Sequence, residues 1–302
     1  MDFTIIIPHK NSSILLKRLI ESFYGKSIYN IQIIVIDDNS NDFEQEELIK
    51  LQKKYSFELY KNQGIGAGAA RNVGIKHIHG KWTFFADADD FFCDTFPELI
   101  KQYYNSDSDI IYFNVTSCYS DSLLRAYRDE HIKTIINNFN KKNEEEYLRC
   151  CYSVPWGKMF KSEFIKNNNL KFEEISAGND MMFSVQSGVK AKQISCNVNE
   201  IYCNTVSIGS ITTTINKEKF ESRFQATLRV NNFLRKNKYH KYQISILFFI
   251  AKSLQFGFKY FIHVLKCCIK NKSNFIIGFK KILSYNKVIR DRQNPHLTQT
   301  VN

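Results

Sequence analysis

The stretch Phe84-Phe85-Ala86-Asp87-Ala88-Asp89-Asp90-Phe91-Phe92 places three carboxylates within four residues, between two pairs of phenylalanines. The residues before them, 82–86, are aromatic, β-branched or small, which predicts a short buried strand. Carboxylates at the end of such a strand emerge where open α/β sheets bind ligands. We therefore expect Asp87 and Asp89 to offer oxygen ligands to one divalent cation, since clustered like charges repel unless a cation relieves them. The alternative is that these residues only begin the next helix, because Asp is favoured at caps.

Strands and helices are predicted to alternate on both sides of this stretch. Each short apolar run is followed by a segment with helical spacing or by a polar loop that opens one. Regular alternation of this kind favours a Rossmann-like α/β half with helices on both faces of a parallel sheet, extending to about residue 115. The other strands are predicted at 4–7, where Pro8 ends the run, and at 32–36, 57–60 and 109–113.

Two further constellations in this half are typical of nucleotide sites. Asp37 and Asp38 follow the second predicted strand, where a carboxylate can accept hydrogen bonds from a nucleobase or a ribose hydroxyl. The alternative there is a turn built on Asx side chains. The glycines of 64–68 lead into a helix that carries Arg71, so the backbone could approach a diphosphate with an always-charged donor beside it.

A fourth carboxylate lies outside the α/β half. Asp180 follows the small polar stretch Ser176-Ala177-Gly178-Asn179 and precedes an apolar run that predicts a buried helix. The dipole at a helix N-terminus keeps a carboxylate ionised, as a general base must be. The alternative is that Asp180 only caps this helix.

The positive charge of the chain is confined to its C-terminal third. The 302 residues carry a net charge of +12, with 43% hydrophobic and 24% charged residues, a composition that excludes disorder. From residue 201 onward there are 18 Lys and Arg against 3 Asp and Glu. Such an asymmetry indicates an anionic partner for that third, either a membrane or a nucleic acid.

The last ninety residues favour the membrane. Between His240 and Ile269 the chain is mainly apolar, and on one continuous helix its lysines would fall within an arc of about 60°. A narrow lysine row on a wide apolar helix is typical of a helix lying in the membrane interface, while a core helix with one solvated face is the alternative. Nucleic acid is not expected, because no reader motif appears. The lysines are Lys241, Lys252, Lys259, Lys266 and Lys270.

Several absences indicate a cytoplasmic protein. The eight cysteines have no disulfide-like or metal-ligand spacing, so we expect reduced thiols. The N-terminus lacks the features of a secretory signal, and no run of about 18 uncharged apolar residues occurs. We therefore expect a peripheral protein on the cytoplasmic face of the inner membrane, attracted by its anionic inner leaflet.

Taken in order, these motifs resemble a family 2 glycosyltransferase of the inverting, GT-A fold type. The resemblance covers roughly residues 3–215, and it implies bacterial surface-polysaccharide assembly from a nucleotide-sugar donor. The segments that carry it are Ile-Ile-Pro-His-Lys-Asn at 6–11, Ile-Asp-Asp-Asn-Ser at 36–40, Gly-Ala-Ala-Arg-Asn-Val-Gly at 68–74, Ala-Asp-Ala-Asp-Asp at 86–90, Trp-Gly-Lys-Met-Phe at 156–160, Asn-Asp at 179–180 and Gly-Ser-Ile-Thr at 209–212.

The resemblance also implies roles for individual residues. Pro8 and Asp38, with Asp37 beside them, would line a uracil and ribose pocket, and Arg71 would lie near the nucleotide. Asp87 and Asp89 would be the Asp-x-Asp pair that touches ribose and a Mn²⁺ or Mg²⁺ ion on the diphosphate of a UDP-sugar. Asp180 would be the base that activates a hydroxyl of a glycan or lipid-linked glycan acceptor.

The expected architecture is a GT-A domain with a mixed central sheet, followed by a helical extension. We expect the domain to span 1–215, with a nucleotide-sugar half at 1–115 and an acceptor half at 116–215. Residues 216–302 would form the basic, membrane-associating extension. Two other functions compete: a sugar-phosphate nucleotidyltransferase, which would need a glycine-rich loop where 8–11 reads Pro-His-Lys-Asn, and a non-catalytic membrane- or polyanion-binding protein.

Overall fold

The computed structural model describes residues 1–207 and 216–277 of the chain. The chain divides into two compact units, Met1–Ile211 and Thr212–Asn302. The predicted Gly-Ser-Ile-Thr segment at 209–212 lies outside the described residues, as does the predicted domain boundary at 215.

Eight strands and eight helices form the described part of the first unit. The strands are β1 Phe3–His9, β2 Ile31–Asp37, β3 Glu58–Lys61, β4 Trp82–Phe85, β5 Phe91–Phe92, β6 Ile110–Tyr119, β7 Lys158–Lys161 and β8 Ile194–Val206. The helices are α1 Ser13–Phe23, α2 Asp42–Tyr55, α3 Gly66–Lys76, α4 Phe96–Tyr103, α5 Glu130–Lys142, α6 Glu145–Cys151, α7 Ser162–Asn167 and α8 Asn179–Lys190.

All eight strands belong to one mixed sheet, in the order β3-β2-β1-β4-β7-β6-β8-β5. Strands β1 to β4 run parallel, β7 lies antiparallel between β4 and β6, and β8 runs parallel to β6. The carboxyl ends of β1, β2 and β4 therefore meet at one edge of the sheet. Asp37, Asp38 and the carboxylates after β4 are brought together at that edge.

The first strand is longer than the sequence predicts. Pro8 does not end it: Pro8 pairs with Ile36, and His9 pairs with Asp37 at the end of β2. Proline has no backbone N–H to donate to a neighbouring strand. Each neighbour of a parallel strand receives hydrogen bonds from alternate residues only, so one missing donor does not stop the pairing, which continues for one more residue to His9. His9 thereby becomes part of the sheet edge.

Aromatic packing ties the two halves of the unit together behind the Asp cluster. The ring of Phe85, at the end of β4, lies 5.7 Å from Phe160 of β7, 5.0 Å from Phe172 and 5.2 Å from Phe183 of α8. Burying one such side chain contributes about 1.5–3 kcal/mol. The same contacts fix the start of α8, and with it Asp180, close to the strand that precedes Asp87.

The second unit is helical in its described part but is not the single long helix that the lysine spacing predicts. It consists of α9 Lys217–Lys236, α10 Leu247–Ser253 and α11 Phe258–Lys270, with short 3-10 turns at His240–Tyr242 and Leu254–Phe256. Gly257 interrupts the predicted helix with a φ of +96°, a conformation that glycine adopts without strain. The helices enclose a small core of their own around Phe220, Phe224 and Val264.

Candidate active site

The carboxylates after β2 form one wall of the site. The Asp38 amide donates to the His9 carbonyl at 2.7 Å, which fixes the chain where both strands end. The Asn62 side-chain amide donates to Oδ1 of Asp38 at 2.5 Å, and both Asp37 and Asp38 are buried. Pro8, one residue earlier on β1, is also buried. The sequence-predicted nucleotide residues of β1 and β2 thus lie side by side.

Buried His9 is a site residue that the sequence reasoning missed. The Ser12 amide donates to Nε2 at 3.2 Å, so the ring hydrogen lies on Nδ1, which is 3.3 Å from Oγ of Ser40 and 3.7 Å from Asp37. Burial lowers the pKa of the imidazole, and the carboxylates of Asp37 and Glu44 oppose that shift. The feature of the sequence that could have identified His9 is its position directly after Pro8, where the predicted strand ends.

Arg71 connects three of the predicted site residues. It is buried in α3, and its guanidinium donates to Oδ1 of Asp87 and, at 3.1 Å, to Oδ1 of Asn179, the neighbour of Asp180. It also lies 5.2 Å over the ring of Phe172. Arg71, predicted to lie near the nucleotide, is thus a buried cation that holds Asp87 beside the start of α8.

The three carboxylates after β4 have different surroundings. Asp90 is buried and accepts from the Thr205 amide at 2.7 Å and from the Asn204 side chain at 3.0 Å, so it holds β8 rather than a ligand. Asp89 is exposed. The surrounding protein and the charge of Asp87 raise the pKa of the Asp89 carboxyl, as expected of like charges held together.

The donor atoms of Asp87 and Asp89 fit a hard divalent cation. Within residues 1–207 and 216–277, no cluster of three or more His, Cys, Asp or Glu side chains forms a complete metal site. A cation at this place would be held by one or two carboxylates together with substrate phosphates, the arrangement that Mg²⁺ favours. Asp87 retains a second oxygen beyond the one bonded to Arg71, and Asp89 faces solvent.

Asp180 lies in the first turn of α8, as the sequence predicts, but it does not cap the helix. The N-cap is Gly178, in the left-handed region at φ 79°. The Glu173 amide donates to the Asn179 carbonyl at 3.2 Å, which folds the preceding loop against the helix start. Gly68 of α3 packs on this loop: a Cβ there would lie 2.2 Å from the Glu173 carbonyl oxygen. Gly68 therefore allows α3 to pack closely on this loop.

Residues from the second half of the unit complete the surroundings of the Asp cluster. The Tyr202 hydroxyl of β8 accepts from the Asp87 amide at 2.9 Å, and the Tyr202 ring stacks on Trp156. The Asp89 carbonyl accepts from Arg18 at 2.5 Å and from the Thr205 hydroxyl at 2.7 Å. The sequence reasoning did not identify Tyr202, Arg18 or Thr205, because their contacts join residues 71 to 116 positions apart.

The fold has the GT-A architecture of known sugar transferases. TarS of S. aureus in complex with UDP-GlcNAc aligns with a TM-score of 0.66 and 17% identity over 90% of this chain and 81% of that one. The Pyrobaculum calidifontis mannosyltransferase PcManGT in complex with GDP-Man and Mn²⁺ aligns with a TM-score of 0.56 and 12% identity over 95% and 80%. The predicted fold class is confirmed.

The chain belongs to glycosyl transferase family 2, whose family model matches residues 4–167. Among its relatives is the cholesterol galactosyltransferase of Borreliella burgdorferi, 27% identical over 272 residues, which are 82% of this chain and 74% of that protein. The protein is therefore an enzyme, a glycosyltransferase, and the two competing functions are set aside.

Proposed function

We propose that the enzyme transfers a sugar, with inversion, from a nucleotide sugar to a hydroxyl of a glycan or lipid-linked glycan in surface-polysaccharide synthesis. The observation that carries this proposal is the convergence of Asp38, Asp87, Asp89 and the start of α8 at one sheet edge, where Arg71 joins Asp87 to Asn179 of α8. UDP-sugar is the favoured donor, as in the TarS complex.

The nucleoside would lie against the ends of β1 and β2. Asp38 is fixed by Asn62 and Asp37 by the Ser40 amide at 3.2 Å, so their carboxylates need little ordering when a ligand binds. The remaining oxygens can accept from the base and the ribose hydroxyls. Buried Pro8 supplies part of the apolar floor.

Asp87 and Asp89 would hold a Mn²⁺ or Mg²⁺ ion at the diphosphate. When bound, the ion screens the phosphate charge and stabilises the nucleoside diphosphate as a leaving group. Arg71 holds Asp87 in one position, and Tyr202 holds its backbone. The protein thus fixes the position of the Asp87 carboxylate before the donor binds.

Asp180 would act as the general base. Its position in the first turn of α8 favours the ionised carboxylate, since the helix dipole stabilises negative charge there. The carboxylate would take the proton of the acceptor hydroxyl as its oxygen attacks the anomeric carbon on the face opposite the leaving diphosphate. Inversion follows from that single displacement.

The second unit would associate with the anionic inner leaflet, on the cytoplasmic face of the inner membrane. On α11 an apolar ridge, formed by Phe258, Ile262, Leu265 and Ile269, lies beside a lysine row of Lys259, Lys266 and Lys270. Phe258 is 70% and Ile269 67% exposed. No helix of the described residues is long and apolar enough to cross a bilayer. An apolar ridge beside cations suits an interfacial position near a lipid-linked acceptor.

The base assignment is tested with Asp180→Asn. Asn keeps the volume and removes the proton acceptor, so we expect transfer to fall about 10²–10⁴-fold with donor binding unchanged. The control is Glu163→Gln, because Glu163 occupies the same helix position in α7 and is exposed. Transfer by Asp180→Asn within a few-fold of the control would contradict the proposal.

A further inference from the structure

Lys158, the first residue of β7, is 0% exposed. Lysine is almost never fully buried unless its charge is compensated. Its ammonium donates to the Tyr152 carbonyl at 2.6 Å and lies 4.5 Å from the ring centre of Tyr152 and 5.1 Å from that of Tyr112. Two aromatic faces and one carbonyl stabilise a cation but leave it without a formal counter-charge.

The packing of β7 on α8 places Asp180 on the same side of the sheet as this ammonium. Side chains two apart on a strand share a face, so Lys158 and Phe160 point the same way. Side chains three apart on a helix also share a face, so Asp180 lies one turn before Phe183. The rings of Phe160 and Phe183 are 5.6 Å apart. Moving from Phe160 to Lys158 along β7, and from Phe183 to Asp180 along α8, therefore brings Lys158 toward Asp180.

The electrostatics agree with this placement. Burial lowers the pKa of the Lys158 ammonium well below its ordinary value, and the Asp180 carboxylate is the charge that opposes the shift. The other titratable groups packed against Lys158 are the phenols of Tyr112 and Tyr152, both buried. Asn179, the residue before Asp180, accepts a hydrogen bond from Arg71 at its side chain and one from the Glu173 amide at its carbonyl.

We infer that Lys158 is the positioning residue for Asp180: its buried ammonium fixes the carboxylate in place and keeps it ionised for proton abstraction. This inference rests on the proposed role of Asp180 as the base. A purely structural lysine would be a poor choice here, because methionine fills a similar volume without the cost of desolvating a charge.

The test is the pH profile of kcat/KM for Lys158→Met. Without the cation the carboxylate is protonated more easily, so the acidic limb should move to higher pH by about one unit, with donor binding unchanged. The control is Lys166→Met: Lys166 also donates to a backbone carbonyl, that of Ile78 at 3.0 Å, but is exposed. An acidic limb that stays at the wild-type pH would overturn the inference.

A second measurement applies even if Lys158→Met folds poorly. The Asp180→Asn variant would leave Lys158 buried without its counter-charge. The unfolding temperature of this variant should therefore fall below that of Glu163→Gln by about 3 °C. Adding Lys158→Met to Asp180→Asn should restore part of that loss. Equal unfolding temperatures for Asp180→Asn and Glu163→Gln would overturn the pairing. Near-normal transfer by Asp180→Asn would instead overturn the base assignment, which separates the two failures.

Discussion

The imidazole of His9 is held neutral by its surroundings at the end of β1. Nε2 accepts from the Ser12 amide, and burial lowers the pKa of the ring from 6.5. A charged ring would lose that acceptor, although Asp37 and Glu44 lie close enough to attract it. His9 therefore makes the ends of β1 and β2 sensitive to pH, because its ring contacts Asp37, Ser40 in the loop after β2 and Glu44 of α2.

This coupling predicts a pH-dependent stability. Because the folded pKa is below 6.5, the unfolded chain binds more protons from pH 6.5 downward, and the free energy of unfolding should decrease as the pH falls through that window. Urea unfolding at pH 7.5 and 5.5 should show His9→Gln losing about 1 kcal/mol less than wild type. His79→Gln, at an exposed histidine, is the control. Equal pH dependence of wild type and His9→Gln would contradict the prediction.

At the scale of elements, α11 combines three surfaces. Val264 and Cys268 face the core of the second unit, and Tyr260 packs beside them. The apolar ridge and the lysine row occupy the rest of the helix. The break at Gly257 confines this arrangement to α11, so Lys241 and Lys252 do not extend the row along one continuous helix.

Charge reversal on α11 tests the membrane proposal. Each lysine near an anionic surface contributes about 1 kcal/mol. Changing Lys259, Lys266 and Lys270 to Glu should therefore weaken binding to phosphatidylglycerol vesicles by about 100-fold or more.

A control variant with the same net charge distinguishes binding through α11 from a general attraction between a basic protein and an anionic membrane. The control changes Lys219, Lys236 and Lys238 of α9 and its C-terminal end to Glu. Vesicle co-sedimentation should persist in the control and be lost in the α11 variant. Equal retention by both variants would mean that the row is only a solvated face.

At the scale of the whole molecule, the two units differ in chemistry. The first contains the mixed sheet and every proposed site residue, whereas the second carries most of the excess positive charge. A ligand that binds the native sheet edge should stabilise the first unit by mass action.

Thermal unfolding can therefore test donor binding and metal binding together. A nucleotide sugar at about 100 times its dissociation constant adds roughly 2.7 kcal/mol, which is about 5–10 °C in unfolding temperature for a unit of this size. We expect the full shift from a UDP-sugar with Mn²⁺, a smaller one with the ion chelated, and that same smaller shift for Asp89→Ala with or without the ion. Equal Mn²⁺-dependent shifts for wild type and Asp89→Ala would remove Asp89 from the metal site.

Much of the fold could be read from the sequence, because strands and their polar ends are local patterns. The apolar runs before Asp37 and before Asp87 predicted β2 and β4, and the small polar stretch before Asp180 predicted the start of α8. Asp38, Asp87 and Asp89 were placed at strand ends for the same reason. The error at Pro8 was confined to two residues, since pairing with β2 carried the strand through Pro8 to His9.

The contacts among these residues were decided only by the tertiary structure. Placing β7 between β4 and β6 sets α8 against the end of β4, which brings Arg71 onto Asp87 and Asn179 and Lys158 toward Asp180. The partners of those pairs lie 16 to 108 positions apart in the chain, farther than strand or helix periodicity reports, and strand order is settled by packing across the whole sheet. The break at Gly257 has the same origin: lysine spacing reports helical periodicity, but the positive φ there depends on how α10 and α11 fold over their shared core.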